Sequence, residues 1–208
     1  MTETSDRERH WDAVYTARPD SELSWFAAQP ALSLSMLDAL AVTPEQAVLD
    51  VGAGASRLVD VLIDRSFTDV SVLDISEAGL DAARKRLGET SSVHWVNADV
   101  LGWSPTRRYE LWHDRAVFHF LTAEADRDRY RAVLGGALAP GGAVVLATFA
   151  ADGPTHCSGL PVQGYSAAEL VEALGPGFDV VAHRREEHRT PAGVVQPFTW
   201  LAARLRSG

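Results

Sequence analysis

The sequence predicts an α/β fold, a single domain built on a mostly parallel sheet that ends in an antiparallel hairpin, with helices on both faces. Short β-rich apolar runs alternate with helical patterns through the middle of the chain, the signature of βαβ units. The last two runs are joined by a stretch without helical periodicity, so they are expected to pair antiparallel. A chain of 208 residues, 46% of them apolar, supplies one substantial core and not two.

The runs fall at 47–51, 70–75, 92–97, 109–113, 143–149, 178–183 and 198–205, seven strands in all. After the first, Leu58, Val61 and Leu62 recur at helical spacing over 57–65. After the second, Ser76 is a good N-cap, Leu80, Ala83 and Leu87 share one helical face, and Gly88 is a good residue just past a helix end. Tyr130, Val133, Leu134 and Leu138 line one side of a helix over 122–138 that stops before Pro140-Gly141-Gly142. Ser166 and Glu169 have capping-box spacing and open a helix whose Leu170, Val171 and Leu174 face inward. The loop of the final hairpin holds Pro191, Gly193 and Pro197. Ahead of the first strand, Trp11, Tyr15, Trp25 and Phe26 are too many aromatics for a disordered tail. Residues 1–41 are therefore expected to form a helical cap, packed over the sheet's edge, on a core of residues 42–208.

A formal net charge of −9 leaves no basic footprint for phosphates or an acidic membrane face, so a nucleic-acid partner is not expected. Arg184, Arg185 and Arg189 lie among Glu186 and Glu187 and read as a solvated strand face. Cys157 is the only cysteine, which excludes an intramolecular disulfide and any multi-thiolate metal site, and no metal centre is expected. No apolar leader opens the sequence and no stretch approaches the roughly 20 apolar residues of a membrane span, so a cytoplasmic location is expected.

The first strand runs through Val48-Leu49-Asp50-Val51 into Gly52-Ala53-Gly54-Ala55-Ser56, a glycine turn that lets a ligand approach the backbone beyond the strand's carboxyl end. The helix start that follows offers free N–H groups to an anionic group. Asp74 ends the second strand 22 residues after Gly52, where a carboxylate can accept from both hydroxyls of a ribose. Asp99 follows the third strand in Asn97-Ala98-Asp99-Val100 and can meet an adenine amino group in the same crevice. Polar features at three successive strand ends point to a nucleoside-type ligand.

In that order the set resembles the class I S-adenosylmethionine (SAM)-dependent methyltransferases, over about residues 10 to 206. The resemblance implies a Rossmann-like methyltransferase fold with sheet order 3-2-1-4-5-7-6, the seventh strand antiparallel, and SAM as cofactor with S-adenosylhomocysteine (SAH) as product. It implies that Asp50, Gly52, Gly54 and Ser56 surround the methionine part, Asp74 and Ile75 the ribose, and Asp99 and Val100 the adenine. A dinucleotide-binding oxidoreductase uses a similar turn, but its fingerprint wants a third glycine where this chain has Arg57. A nucleotide-binding module without chemistry is a further alternative.

The acceptor side is expected at the end of the fourth strand, in Leu111-Trp112-His113-Asp114-Arg115-Ala116-Val117-Phe118-His119-Phe120. There Asp114 is the candidate to orient an amine or the cofactor, and His119 the candidate general base or substrate contact. Trp25 and His156 are further substrate-binding candidates, His156 in a loop that overhangs the same face. His156 beside Cys157 suggests a thiol nucleophile, but neighbours in an extended segment point to opposite sides. His10-Trp11-Asp12-Ala13-Val14-Tyr15 with Ser24-Trp25-Phe26 resembles small methyltransferases related to the protein-lysine enzymes, while thiopurine and tellurite-type enzymes share the overall plan. The acceptor is left open between a small molecule and a protein side chain, lysine included.

Overall fold

The computed structural model describes residues 5–88 and 93–206. Its main sheet is formed by β1 (Val48–Val51), β2 (Val70–Asp74), β3 (His94–Asn97), β4 (Tyr109–Arg115), β5 (Leu138–Phe149), and, after a small hairpin of β6 (His156–Cys157) and β7 (Leu160–Pro161), by β8 (Phe178–Arg189) and β9 (Val195–Leu205). The order is β3-β2-β1-β4-β5-β9-β8, with β5 to β9 and β9 to β8 antiparallel and the other pairs parallel. This is the order implied by the resemblance. Ser92, where the third strand was expected to begin, lies outside the described residues.

Strands β1 and β2 are buried at every position, which is why they read as continuous apolar runs and not as alternating ones. Successive side chains serve opposite layers. Val48, Leu111 and Val145 join the core under α2 (Ala31–Ala39), α3 (Leu58–Asp64) and α4 (Glu77–Leu87). Leu49, Trp112 and Leu146 join the core under α5 (Glu124–Ala137) and α6 (Ala167–Leu174). The caps follow the sequence: Ser76 Oγ accepts from Gly79 N at 3.1 Å, Gly88 ends α4 at φ +74°, and Ser166 and Glu169 close a capping box.

Three expectations are corrected. Helix α5 passes straight into β5 at Leu138, and Pro140-Gly141-Gly142 is absorbed as an irregularity where the register with β4 shifts between Tyr109 and Leu111. The final hairpin is longer than expected, and Pro197 lies inside β9, not in the loop. Its carbonyl accepts from Ala150 N at 2.8 Å, so its missing N–H falls on the same side, where the β5 ladder is ending and no donor is needed.

The third concerns the N-terminal segment, which divides: α2 packs on β5, β9 and the edge strand β8, while the first helix packs elsewhere. Helix α1 (Asp6–Ala17), closed by the Ser5–Glu8 capping box, lies against α4. Asp12 Oδ1 accepts from Ser76 Oγ at 2.6 Å and from Ala78 N at 3.2 Å, so a side chain of α1 caps α4. Trp11 packs edge-on to Trp25 and Phe120, and Tyr15 to Trp25, which carries these rings over the carboxyl ends of the strands. No residue of α1 is fully buried, so its place depends on these rings, on Asp12 and on the Arg7 pairs with Asp99 and Asp126.

Asp12→Ala should remove about 0.5–2 kcal/mol of local stability, the range for a lost helix cap. Hydrogen–deuterium exchange of the α1 amides should become several-fold faster while the sheet remains protected; an unchanged exchange rate would contradict the anchoring role.

Candidate functional site

The turn after β1 is held by Gly52 at φ +63° and Gly54 at φ +43°, with Gly52 N donating to Leu73 O at 2.7 Å. A Cβ on Gly52 would collide with the Val117 side chain, and one on Gly54 with the Tyr15 hydroxyl. Glycine is required at both places by conformation and by space. Ser56 Oγ accepts from Leu58 N at 3.1 Å and so opens α3. Arg86 braces the turn from α4, donating to Ser56 O at 2.6 Å and through two nitrogens to Asp60 at 2.8 Å.

Asp50 is buried behind the turn. Its Oδ1 lies 2.7 Å from His113 Nδ1, and His113 Nε2 lies 3.0 Å from Ser33 Oγ on α2. With Asp50 ionised, Nδ1–H donates and Nε2 accepts from the hydroxyl. Asp50 Oδ2 is buried and has no hydrogen-bond partner.

Asp74 is 4% exposed, and its Oδ1 accepts from Ser76 N at 2.7 Å. Burial raises its pKa to about 7; the Ser76 and Gly54 backbone amides oppose the shift and the charges of Asp50 and Asp12 add to it. Asp99 keeps its side chain partly exposed, 3.5 Å from Arg7 Nη1, while its Oδ1 accepts from Leu101 N at 2.9 Å.

At the end of β4 the sequence candidates divide. Asp114 is fully buried: Oδ1 accepts from Val117 N at 2.9 Å and from Phe118 N at 3.4 Å, and Oδ2 from the Tyr130 hydroxyl at 2.6 Å. That hydroxyl accepts in turn from Trp112 Nε1 at 2.8 Å. Burial raises the Asp114 pKa to about 6 against these donors. Both oxygens are engaged within the protein, so Asp114 shapes the chain and is not free to contact cofactor or acceptor.

His119 is also closed to water. Its Nδ1 accepts from Phe149 N at 3.3 Å, which puts the proton of the neutral ring on Nε2, an atom with no protein partner. Burial, reinforced by the charge of Arg115, lowers its pKa to about 3. The ring therefore stays neutral above that pH, with a donor and not a lone pair at the free position, which corrects its reading as a general base.

A cavity of about 250 Å³ opens at the carboxyl ends of the strands. Gly52, Asp74, Ile75, Asp99 and Val100 line one part of it, and Trp25, Arg115, His119, Phe149, Cys157 and Phe198 the other. A smaller cavity of about 70 Å³ shares Gly52, Trp25 and Arg115 and adds Asp50, Ser56 and His113. Gly54 lies beneath Tyr15 and lines neither. His156 is exposed and outside both, whereas its neighbour Cys157 is buried against the larger cavity, the alternation expected of a two-residue strand. The site residue that the sequence reading missed is Arg115. The available signal was a guanidinium at the carboxyl end of a largely buried strand.

This strand order is that of the Rossmann-like methyltransferase fold. Residues 48–142, a little under half of the chain, match the family described as a methyltransferase domain. The trans-aconitate 2-methyltransferase of Rhizobium etli is 38% identical over 93 residues, 43% of this chain and 35% of that protein. Malonyl-[acyl-carrier protein] O-methyltransferase 1 of Ilyobacter polytropus is 27% identical over 103 residues, 49% of this chain and 37% of that protein. The chain thus spans little more than a third of the length of these relatives. The N-methyltransferase NodS of Bradyrhizobium japonicum, solved with SAH, shares the fold at TM-score 0.71 and 15% identity, over 96% of this chain and 99% of that one. Among the described residues, no helix is long and apolar enough to cross a membrane and no group of three His, Cys, Asp or Glu residues is placed to hold a metal ion.

Tyr130→Phe should cost about 1–3 kcal/mol by leaving Asp114 Oδ2 and Trp112 Nε1 unpartnered. The folded pKa of Asp114, already about 6, should rise further above its unfolded value near 3.9. A raised carboxyl pKa removes stability as pH rises through it, so the deficit should be larger at pH 8 than at pH 5. Urea unfolding at the two pH values measures this, and a deficit of the opposite trend would exclude the buried hydrogen bond.

Proposed function

We propose that this chain transfers a methyl group from SAM to a small-molecule acceptor. The observation that carries the proposal is the convergence, around one glycine turn, of the Asp74 carboxylate and a buried Asp50 oxygen without a partner. A cationic amine satisfies the second and a ribose the first. Gly52 lets the methionine part of the cofactor approach the backbone, while Gly54 becomes available to it as Tyr15 moves. Asp50 Oδ2 accepts from the cofactor's ammonium, Asp74 from the ribose hydroxyls, and Asp99 from the adenine amine, with Ile75 and Val100 packing against the nucleoside.

SAM supplies an electrophilic methyl carbon on a sulfonium, so the protein's part is to hold a nucleophile in line with it. Trp11, Trp25, Phe120 and Phe198 exclude water from the acceptor side. His119 serves as a donor or a wall, not as a base. The relative named for trans-aconitate favours a small acceptor over a protein side chain. Arg115 weighs against lysine, because a guanidinium in the acceptor cavity repels an ammonium. On the same reading the chain is one methyltransferase domain, with residues 1–41 as its cap, working in the cytoplasm without a nucleic-acid partner.

Calorimetry with SAH tests the proposal. Binding in the micromolar range is expected, and Asp74→Ala should weaken it by about 1–3 kcal/mol. Ribose hydroxyls donate to the ionised form of Asp74, whose pKa is about 7 in the free protein, so SAH affinity should rise about tenfold from pH 6 to pH 8. Asp74→Asn should bind weakly and without that slope. Absence of SAH binding, or an equally steep slope in Asp74→Asn, would remove the assignment.

A further inference from the structure

We infer that the acceptor is a carboxylic acid with an apolar body, and that Arg115 binds its carboxylate. This rests on the methyl-transfer reading and names the substrate class of the same site. Arg115 reaches the cavity from the end of β4 and retains accessible surface there although protein surrounds it. A guanidinium carries five N–H donors. The Trp25 carbonyl takes one at 2.8 Å, and His188 Nδ1 engages another nitrogen at 3.5 Å.

Among the described residues no carboxylate lies within 4.0 Å of it. Glu186 and Asp50 act on it only from farther away, and Glu186 accepts instead from Trp200 Nε1 at 2.8 Å. Arg115 is thus a desolvated cation with donors to spare, its plane held over Phe198 at 4.9 Å from the ring centroid.

The rest of the acceptor side does not neutralise it. His119 is uncharged and has its own unused Nε2–H, and burial raises the pKa of the Cys157 thiol, which stays protonated. Asp74 and Asp99 lie at the cofactor end of the cavity. In the larger cavity Arg115 stands beside Trp25, Phe120, Phe149, Leu160 and Phe198, a wall that suits an apolar body, while Asp50 and Glu186 line the smaller cavity with it without forming an ion pair. A planar carboxylate matches both the charge and the fork of donors that the guanidinium presents. His188 Nε2, 2.8 Å from the Ser24 carbonyl, and Arg115 together fix the segment around Trp25, so the guanidinium is oriented before a ligand arrives.

The experiment measures binding of phenylacetate, cinnamate, benzoate and glutarate, each beside its methyl ester, to the full chain with and without saturating SAH. At least one acid should bind the SAH-loaded protein at least tenfold more tightly than its ester. Arg115→Gln should abolish that preference while SAH affinity stays within about threefold of wild type. Arg115→Lys should recover part of it, since it keeps the charge but not the planar fork, and it serves as the second variant where Arg115→Gln does not fold. Esters binding as well as acids, no acid binding to the SAH-loaded protein, or an acid preference that survives in Arg115→Gln would each overturn the inference and leave the cofactor reading intact. Failure of SAH itself to bind would instead overturn the cofactor reading.

Discussion

Everything in the crevice depends on the sharp reversal of the chain at Gly52. Strand β1 is hydrogen-bonded between β2 and β4 and covered on both faces, so it can leave the sheet only forward, over its carboxyl end. Val117 stands where any side chain on residue 52 would go, and the backbone there is left-handed. The amide of Gly52 is at the same time tied to the Leu73 carbonyl, one residue before Asp74. A single turn therefore sets the spacing between the Gly52 backbone and the Asp74 carboxylate.

Charges of both signs meet near that turn. Asp50 and Asp74 are buried beside it, and Arg115 lines the larger cavity with Asp74 and the smaller one with Asp50. Buried charges of one sign raise each other's cost, as the position of Asp74 illustrates, and a ligand that brings the missing counter-charges lowers it.

Most of the framework could be read from the residues, because it rests on local rules. Strand runs buried on two faces are continuous in the sequence, and Ser76, Gly88, Ser166 and Glu169 cap helices as their types dictate. Asp74 and Asp99 followed from their positions at strand ends. The remainder is set by contacts between distant segments, which no spacing records. Asp114 looks available until Tyr130, on a helix that follows, takes its second oxygen. His119 looks like a base until the amide of Phe149 settles its tautomer. Pro197 reads as a loop residue, and only the end of the β5 ladder beside it explains why a strand accepts it. Arg115 is held at the cavity by Trp25 and His188, segments far from it in the sequence.

The attachment of α1 bears on how molecules come and go. The Tyr15 ring lies against Gly54 and Gly79, and a ligand that rests on Gly54 needs the same space. On the proposed reading, a cofactor resting on Gly54 would displace the first helix, and the grip of Asp12 on α4 would resist that movement. Product release would then depend on the amino-terminal segment as much as on the sheet.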